Sequence, residues 1–205
     1  MTDQQPSTAN TPSDHEVPRE HHVCPVWIGR LLVSPIRRLV ENPTTIVGPL
    51  VQPGSTVIDV GCAMGFYSLD MARLVGPSGR VVCLDVQQEM LDGLVKRARR
   101  KRLNTVIETR RCSQESLGID DLAGQADLVT AFHVVHETTY PRRFLRECAA
   151  ALAPGGRLLV AEPRGHVSKS DFERTVTAAE SAGLIRGETP AVWRSLGALL
   201  SKPPA

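Results

Sequence analysis

A loop of small residues follows an apolar run in segment 57–65, which reads VIDVGCAMG. Gly61, Ala63 and Gly65 leave room for the backbone to approach a ligand closely. A helix predicted directly behind the loop offers free amide groups at its N-terminus. The segment therefore predicts a ligand-binding turn between a strand and a helix, with Cys62 among the contacting residues.

Two carboxylates flank this loop and indicate the kind of ligand. Asp85 ends the next predicted strand, twenty residues after Gly65, where a carboxylate can accept both hydroxyl groups of a ribose. Asp59 precedes the loop, where its charge would repel the pyrophosphate of a dinucleotide such as NAD but would attract an ammonium group, directly or through water. S-adenosylmethionine (SAM) carries a ribose and an ammonium group. The pair of carboxylates favours a SAM site over an NAD site.

Alternating strands and helices must position these residues. Strands are predicted at 56–60, 80–86, 105–111, 126–132 and 157–161, and helices at 66–75, 88–102 and 141–152. This alternation is typical of a parallel sheet with right-handed crossovers, and the apolar strands indicate burial on both faces. A turn at 154–156 leads into the fifth strand. Ser170 and Glu173 predict a capping box for a further helix to about 182, and extended segments around 184–187 and 191–200 follow.

The length of 205 residues suits one domain with one site. Residues 1–20 are polar and predicted to be a disordered tail, residues 21–52 a helical lid, and residues 53–205 the ligand-binding domain. Trp27 and Leu31 are predicted to face the substrate opening. Two other interpretations of the lid segment are a cover for the core and a basic, apolar face that contacts a membrane surface peripherally.

The composition excludes several classes of protein. There are 24 Lys and Arg against 22 Asp and Glu, and a net charge of +2 gives no strong field toward nucleic acid or lipid. The five cysteines form no Cys-x-x-Cys pair, so we expect neither disulfides nor a structural metal site. With no signal peptide and no apolar run of about 18 residues, a cytoplasmic location without a membrane span is expected.

The ordered set of motifs resembles the class I SAM-dependent methyltransferases, especially the small-molecule type of quinone and sterol biosynthesis. The resemblance spans 46–200, with matches at 57–65, 82–85, 126–129 and 152–159. It implies a Rossmann-like α/β fold with a seven-stranded, mostly parallel sheet, an antiparallel last strand and helices on both faces. It also implies SAM as cofactor and S-adenosylhomocysteine as product. The predicted cofactor-binding residues are Asp59, Gly61, Cys62, Ala63, Gly65, Asp85, Val86, Ser113, Gln114 and Phe132.

Two positions depart from the family pattern. Ala63 replaces the usual middle glycine of the loop, which still leaves a small side chain. Ser113 stands after the third predicted strand, where the family often has an aspartate for the adenine amino group. Adenine contact is therefore assigned to Ser113, Gln114 or backbone groups.

Histidines after the fourth predicted strand are the candidate catalytic residues. Methyl transfer is an in-line displacement that needs alignment, and a weakly nucleophilic hydroxyl also needs its proton removed. His136 and His133 are placed to accept such a proton, and Glu137 could orient one of the rings. Glu162 and His166, beyond the fifth strand, are second-rank candidates. The alternative is that the two first-rank histidines cap a turn or pack under the lid.

The predicted function is SAM-dependent methylation of a small molecule, which the sequence does not identify. A SAM-binding regulatory module without transfer and a methyltransferase for RNA or protein are the alternatives. The basic run at 96–102 suggests RNA, but it ends a predicted helix, and an aromatic content of 4% provides poorly for base stacking, which makes nucleic acid the weaker hypothesis. A minor alternative is a metalloid or thiol methyltransferase that uses Cys24, Cys62 and Cys112.

Overall fold

Seven strands form one sheet in the computed structural model of the chain, which describes residues 41–188, 190–192 and 194–205. The strands are β1 (Thr56–Val60), β2 (Arg80–Asp85), β3 (Ile107–Arg111), β4 (Ala126–Phe132), β5 (Leu152–Pro163), β6 (Ile185–Arg186) and β7 (Ser195–Ser201). Their order is β3-β2-β1-β4-β5-β7-β6. β1 to β5 are parallel, and β7 is antiparallel to both of its neighbours. The predicted fold class is confirmed.

The strand order explains where a ligand can bind. The chain builds outward from β1 to β2 and β3, and then returns to the other side of β1 with β4 and β5. Loops that leave β1 and β4 therefore diverge to opposite faces, which opens a crevice at the carboxyl ends of these strands.

Helices cover both faces of the sheet because the strand residues alternate between two cores. The helices are α1 (Pro43–Val47), α2 (Ser68–Val75), α3 (Gln88–Arg100), α4 (Pro141–Ala151) and α5 (Lys169–Ser181). On β1, Ile58 belongs to the core under α4 and α5, whereas Val57 belongs to the core under α1, α2 and α3. No helix in the described ranges is long and apolar enough to cross a membrane.

The described end of the predicted lid segment packs into the core. Asn42 caps α1 by accepting a hydrogen bond from the amide of Thr44 (3.1 Å), and Pro43 occupies the first turn. Ile46 and Leu50 are buried in the same core as α2 and α3. The predicted tail, most of the predicted lid, Trp27, Leu31 and Cys24 lie outside the described residues.

Two local predictions were wrong. The predicted turn at 154–156 lies within β5, because Gly155 and Gly156 exchange backbone hydrogen bonds with Lys202 (3.0 and 2.8 Å) and so continue the pairing with the last strand. The predicted capping box is also displaced. α5 is capped by Ser168, whose hydroxyl accepts from the amide of Asp171 (3.1 Å), and not by Ser170.

Candidate active site

A cavity of about 350 Å³ opens at the carboxyl ends of the parallel strands, within the size range of small-molecule sites. Residues at or after the ends of β1 to β5 line it. All residues that were predicted to bind the cofactor line this cavity, except Gly65. Both predicted catalytic histidines also line it. These residues are Asp59, Gly61, Cys62, Ala63, Asp85, Val86, Ser113, Gln114, Phe132, His133 and His136.

The glycines of the loop are required by contacts within the protein. A Cβ atom on Gly61 would lie 2.7 Å from Cγ2 of Val134, and φ at Gly61 is 69°. Gly65 has φ of 77°, and a Cβ atom there would lie 2.2 Å from Cδ1 of Leu94. Gly65 is not among the residues that line the cavity, and a side chain on it would meet α3.

Asp85 holds the loop and faces the cavity. Its Oδ2 accepts from the amide of Ala63 and its Oδ1 from the amide of Gln87, both at 2.9 Å. Ala63 has φ of 45°, so the residue that replaces the usual glycine adopts the left-handed conformation and is held there by this carboxylate. Burial raises the pKa of Asp85, and the hydrogen bonds from backbone amides partly oppose this rise.

Asp59 is a buried carboxylate on the cavity wall, with 3% of its surface exposed. The hydroxyl of Ser68 donates to Oδ2 (2.5 Å) and that of Thr130 donates to Oδ1 (2.7 Å). Burial raises the pKa of Asp59 to about 6, although the two hydrogen bonds lower it. A cation beside this group would therefore stabilise its ionised form.

The turn after β3 uses the hydroxyl of Ser113 internally. Its oxygen accepts from the amides of Glu115 and Ser116, at 3.2 and 3.0 Å. Glu147 on α4 clamps the same turn, because it accepts from the amide of Leu117 (2.6 Å) and the hydroxyl of Ser116 (3.1 Å). Sequence reasoning missed Glu147, since thirty residues separate it from Leu117 and no local pattern connects the two.

A stacked aromatic pair lines the cavity. The rings of Tyr67 and Phe132 are parallel to within 8°, with their centroids 3.7 Å apart. The hydroxyl of Tyr67 donates to the buried carboxylate of Glu41. Phe132 was predicted as a cofactor contact; Tyr67 was missed, because its role depends on a residue outside the loop.

His136 is held by Glu162. Its Nδ1 hydrogen-bonds to Oε2 of Glu162, whose Oε1 accepts from the amide of Val135 (2.9 Å). Burial lowers the pKa of His136, but the hydrogen bond and charge of Glu162, together with the charge of Glu137, outweigh it and raise the pKa above its ordinary value. The predicted partner Glu137 lies farther away, with its Oε1 3.9 Å from Nε2. Glu162, and not Glu137, is the hydrogen-bond partner of His136, because β5 pairs with β4 and ends beside the loop that carries His136.

His133 and His166 are placed differently. His133 has φ of 56°, and its Nε2 hydrogen-bonds to Oγ of Ser195 on β7 (2.8 Å). Its ring is thus tied to the antiparallel strand β7. His166 lines the cavity with its ring centroid 6.1 Å from that of His136.

Comparison with known proteins identifies this architecture. A family model described as a methyltransferase domain matches residues 58–160, half of the chain. The chain belongs to this family. Within the matched range lie β2, β3, β4, the last three residues of β1, the buried carboxylates Asp59 and Asp85, and both His133 and His136. The resemblance inferred from the motifs is confirmed.

Relatives of this methyltransferase domain include enzymes of quinone biosynthesis. A ubiquinone biosynthesis O-methyltransferase from Xanthomonas axonopodis is 36% identical over 124 residues, which are 58% of this chain and 48% of the relative. An uncharacterized 37.1 kDa protein in a Streptomyces fradiae transposon is 34% identical over 113 residues, 55% of this chain and 31% of that protein. The chain spans about half or less of the length of these curated relatives.

Solved structures share the fold of the methyltransferase domain. A SAM-dependent methyltransferase from Aquifex aeolicus superposes with a TM-score of 0.76 at 21% identity, over 87% of this chain and 99% of that one. The [4+2]-cyclase SpnF superposes with a TM-score of 0.68 at 18% identity, over 94% of this chain and 89% of that one.

The polar groups of the cavity fit SAM as the cofactor. Asp59 accepts two protein hydrogen bonds, and Asp85 accepts three, from the amides of Ala63, Gln87 and Val86. An ionised carboxylate has about four acceptor sites. Capacity remains at Asp85 for ribose hydroxyl groups and at Asp59 for an ammonium group. The buried negative charge of both groups is suited to a cationic ligand.

Of the described cysteines, Cys62, Cys83 and Cys148 are buried and Cys112 is half-buried. Cys62 and Cys112 line the cavity, whereas Cys24 lies outside the described residues. Burial raises the pKa of Cys112 to about 11 and also raises that of Cys62. Within the described ranges, no group of three or more His, Cys, Asp or Glu side chains is arranged to hold a metal ion.

Proposed function

We propose that the chain transfers a methyl group from SAM to a small-molecule acceptor. The observation that carries this proposal is the pair of buried carboxylates, Asp59 and Asp85, on one cavity at the switch point of a methyltransferase sheet. Bound SAM supplies an electrophilic methyl group on a sulfonium. The protein's contribution is to hold the cofactor and acceptor in line within a partly enclosed cavity.

The roles of the side chains follow from where they lie. We assign the ribose hydroxyls to Asp85 and the methionine ammonium to Asp59. The turn at Ser113 and Gln114 lies beyond β2, next to Asp85, and is assigned to the adenine through its backbone groups. Phe132 and Tyr67 add a stacked aromatic pair to the same cavity wall.

A small acceptor is supported by the cavity and by the relatives. The cavity of about 350 Å³ is of a size for small ligands. The Xanthomonas relative is named as a ubiquinone biosynthesis O-methyltransferase, and we extend the small-molecule class, but not that substrate, to this chain.

Binding and turnover measurements test the proposal together. Calorimetry should show that SAM and S-adenosylhomocysteine bind to the full chain. Label from methyl-labelled SAM should then appear in one class of a panel of phenols, quinols, amines, thiols and metalloids. Binding without transfer to any compound would contradict the proposal and favour a regulatory SAM-binding module.

SAM affinity should fall at acidic pH because of Asp59. The pKa of this group is about 6 in the folded protein, and the cation of SAM interacts with its ionised form. The association constant should therefore fall below about pH 6, approaching tenfold per pH unit for one coupled proton. Calorimetry in buffers of different ionisation enthalpy counts that proton.

The variant Asp59→Asn is the control for this pH dependence. It should bind SAM more weakly at neutral pH. The number of protons coupled to SAM binding should be smaller by one in the variant than in the wild type. The pKa of Asp85 is also raised, so a residual slope can remain in the variant. If SAM affinity depended on pH equally in the two proteins, Asp59 would be excluded as the group that binds the ammonium of SAM.

A further inference from the structure

Glu162 is a buried carboxylate that the binding of SAM does not explain. It ends β5 with 1% of its surface exposed, and an ionised group at such a site needs compensating partners. Both partners described here belong to the segment that follows β4: the amide of Val135 and Nδ1 of His136. The carboxylate thus fixes the orientation of one imidazole ring.

This contact also determines which nitrogen of His136 can accept a proton. An ionised carboxylate only accepts hydrogen bonds, so Nδ1 must carry the hydrogen. In the neutral ring, the lone pair is then on Nε2. His136 lines the cavity, and its Nε2 lies 3.9 Å from Glu137, another residue of the cavity wall.

The charges around the ring favour proton uptake. Burial lowers the pKa of His136, but Glu162 and Glu137 outweigh burial and raise it. Uptake of a proton at Nε2 converts a neutral ring beside a buried carboxylate into an ion pair. Methyl transfer converts the cationic sulfonium into a neutral thioether, and the proton taken up by His136 makes its ring cationic. The carboxylate of Glu162 is already in place to stabilise that cation.

The strand order places this pair away from the nucleoside end of the cavity. Asp85 and the Ser113 turn follow β2 and β3, on one side of β1. His136 and Glu162 belong to the ends of β4 and β5, on the other side of β1. A cofactor held by Asp59 and Asp85 would leave the histidine side for the acceptor.

We propose that His136, positioned by Glu162, removes a proton from the acceptor, and that the acceptor carries a hydroxyl group acidic enough for an imidazole to deprotonate. The inference rests on the proposed function. His136 Nε2 takes the hydroxyl proton as the oxygen–methyl bond forms and the methyl–sulfur bond breaks. The products are the methyl ether, S-adenosylhomocysteine and an imidazolium, which returns its proton to solvent.

A pair of substrates that differ in acidity tests the role of His136. Catechol is un-ionised at about pH 8, whereas 4-nitrocatechol is already ionised there. The variant His136→Gln should lose roughly 10²–10⁴-fold in kcat with catechol, the range for general base catalysis, and at least tenfold less with 4-nitrocatechol. Equal losses with both compounds would overturn the inference.

The variant Glu162→Gln tests the positioning role. The single acceptor oxygen of glutamine cannot replace both carboxylate oxygens, so either Val135 or His136 loses its partner. We expect roughly a tenfold or greater loss of kcat with catechol, well within the span of base catalysis, and unchanged SAM affinity. The midpoint of the kcat–pH profile should move to lower pH, since burial then acts on His136 without the carboxylate. Glu162→Asp should restore part of the activity.

Two measurements separate positioning from a structural effect. The ¹⁵N spectrum of the His136 ring, recorded on the protein alone, should show hydrogen on Nδ1 in the wild type and a mixture of tautomers in Glu162→Gln. Glu173→Gln is the matched control, because this exposed glutamate pairs with Arg186 outside the cavity. The control should leave kcat, the pH profile and the spectrum unchanged.

The outcomes distinguish this inference from the proposed function. Transfer to amines or thiols, but to no phenol or catechol, would overturn the inference alone. Transfer to catechol with an unshifted pH profile and an unchanged ring spectrum in Glu162→Gln would remove the positioning role. Absence of transfer to every acceptor, with SAM bound, would overturn both.

Discussion

Replacement of Asp85 by alanine should weaken SAM binding by about 1.5–3 kcal/mol, the range for hydrogen bonds to a charged group. This corresponds to roughly a 10- to 150-fold increase in Kd. The change removes the acceptor for the ribose hydroxyls. It also removes the partner of the Ala63 amide, which is held in a left-handed conformation by that contact. Calorimetric titration of the variant with SAM measures the effect.

The matched control is Asp92→Ala on α3. Asp92 is also an aspartate, but it is exposed, accepts a hydrogen bond from Gln88 (3.0 Å) and lies outside the cavity wall. Its replacement should change SAM affinity less than twofold. Thermal unfolding of both variants establishes that they are folded. A folded Asp85→Ala protein with wild-type affinity would exclude Asp85 as the ribose ligand.

The fold and the cofactor end of the site could be predicted because their signals are local. The bounds of β1 and β4 follow directly from runs of apolar residues, and both strands were placed correctly at 56–60 and 126–132. The small-residue loop and Asp85 are separated by one crossover, whose geometry is nearly the same in every parallel βαβ unit. Asp59, Ala63 and Asp85 therefore meet where the motif predicts.

The acceptor end depends on contacts that the local sequence does not encode. His136 and Glu162 are 26 residues apart, and they meet only because β5 pairs with β4 in one register. The local alternative, Glu137, adjoins His136 in sequence but its carboxylate lies 3.9 Å from the ring. Proximity along the chain indicated Glu137, whereas the hydrogen-bond partner of His136 is Glu162.

The packing at Gly65 is likewise not encoded in the local sequence. A small residue in a ligand-binding loop was explained by the approach of a ligand, because the sequence shows the loop but not what packs behind it. Leu94 on α3 occupies that position. The glycine is required by packing of the loop against α3, and the effect of replacing it should consequently be seen in stability.

The variant Gly65→Ala should lower the free energy of unfolding by about 2–5 kcal/mol. One part is the left-handed conformation, with φ of 77°, which costs a residue with a Cβ atom roughly 1–2 kcal/mol. The other part is overpacking against Leu94, whose Cδ1 would lie 2.2 Å from the new atom, at about 1–3 kcal/mol. Urea unfolding of the variant and the wild type measures the sum.

Gly124→Ala separates the two parts. Gly124 has φ of 69°, close to that of Gly65, but a Cβ atom there would have no neighbour within 4 Å. This control should therefore show only the conformational cost of about 1–2 kcal/mol. The double variant Gly65→Ala/Leu94→Ala should be less destabilised than the sum of the single changes, because the new methyl group would occupy space that the leucine leaves. Equal destabilisation by Gly65→Ala and Gly124→Ala would mean that α3 moves aside, and packing against Leu94 would then not be the reason for glycine at this position.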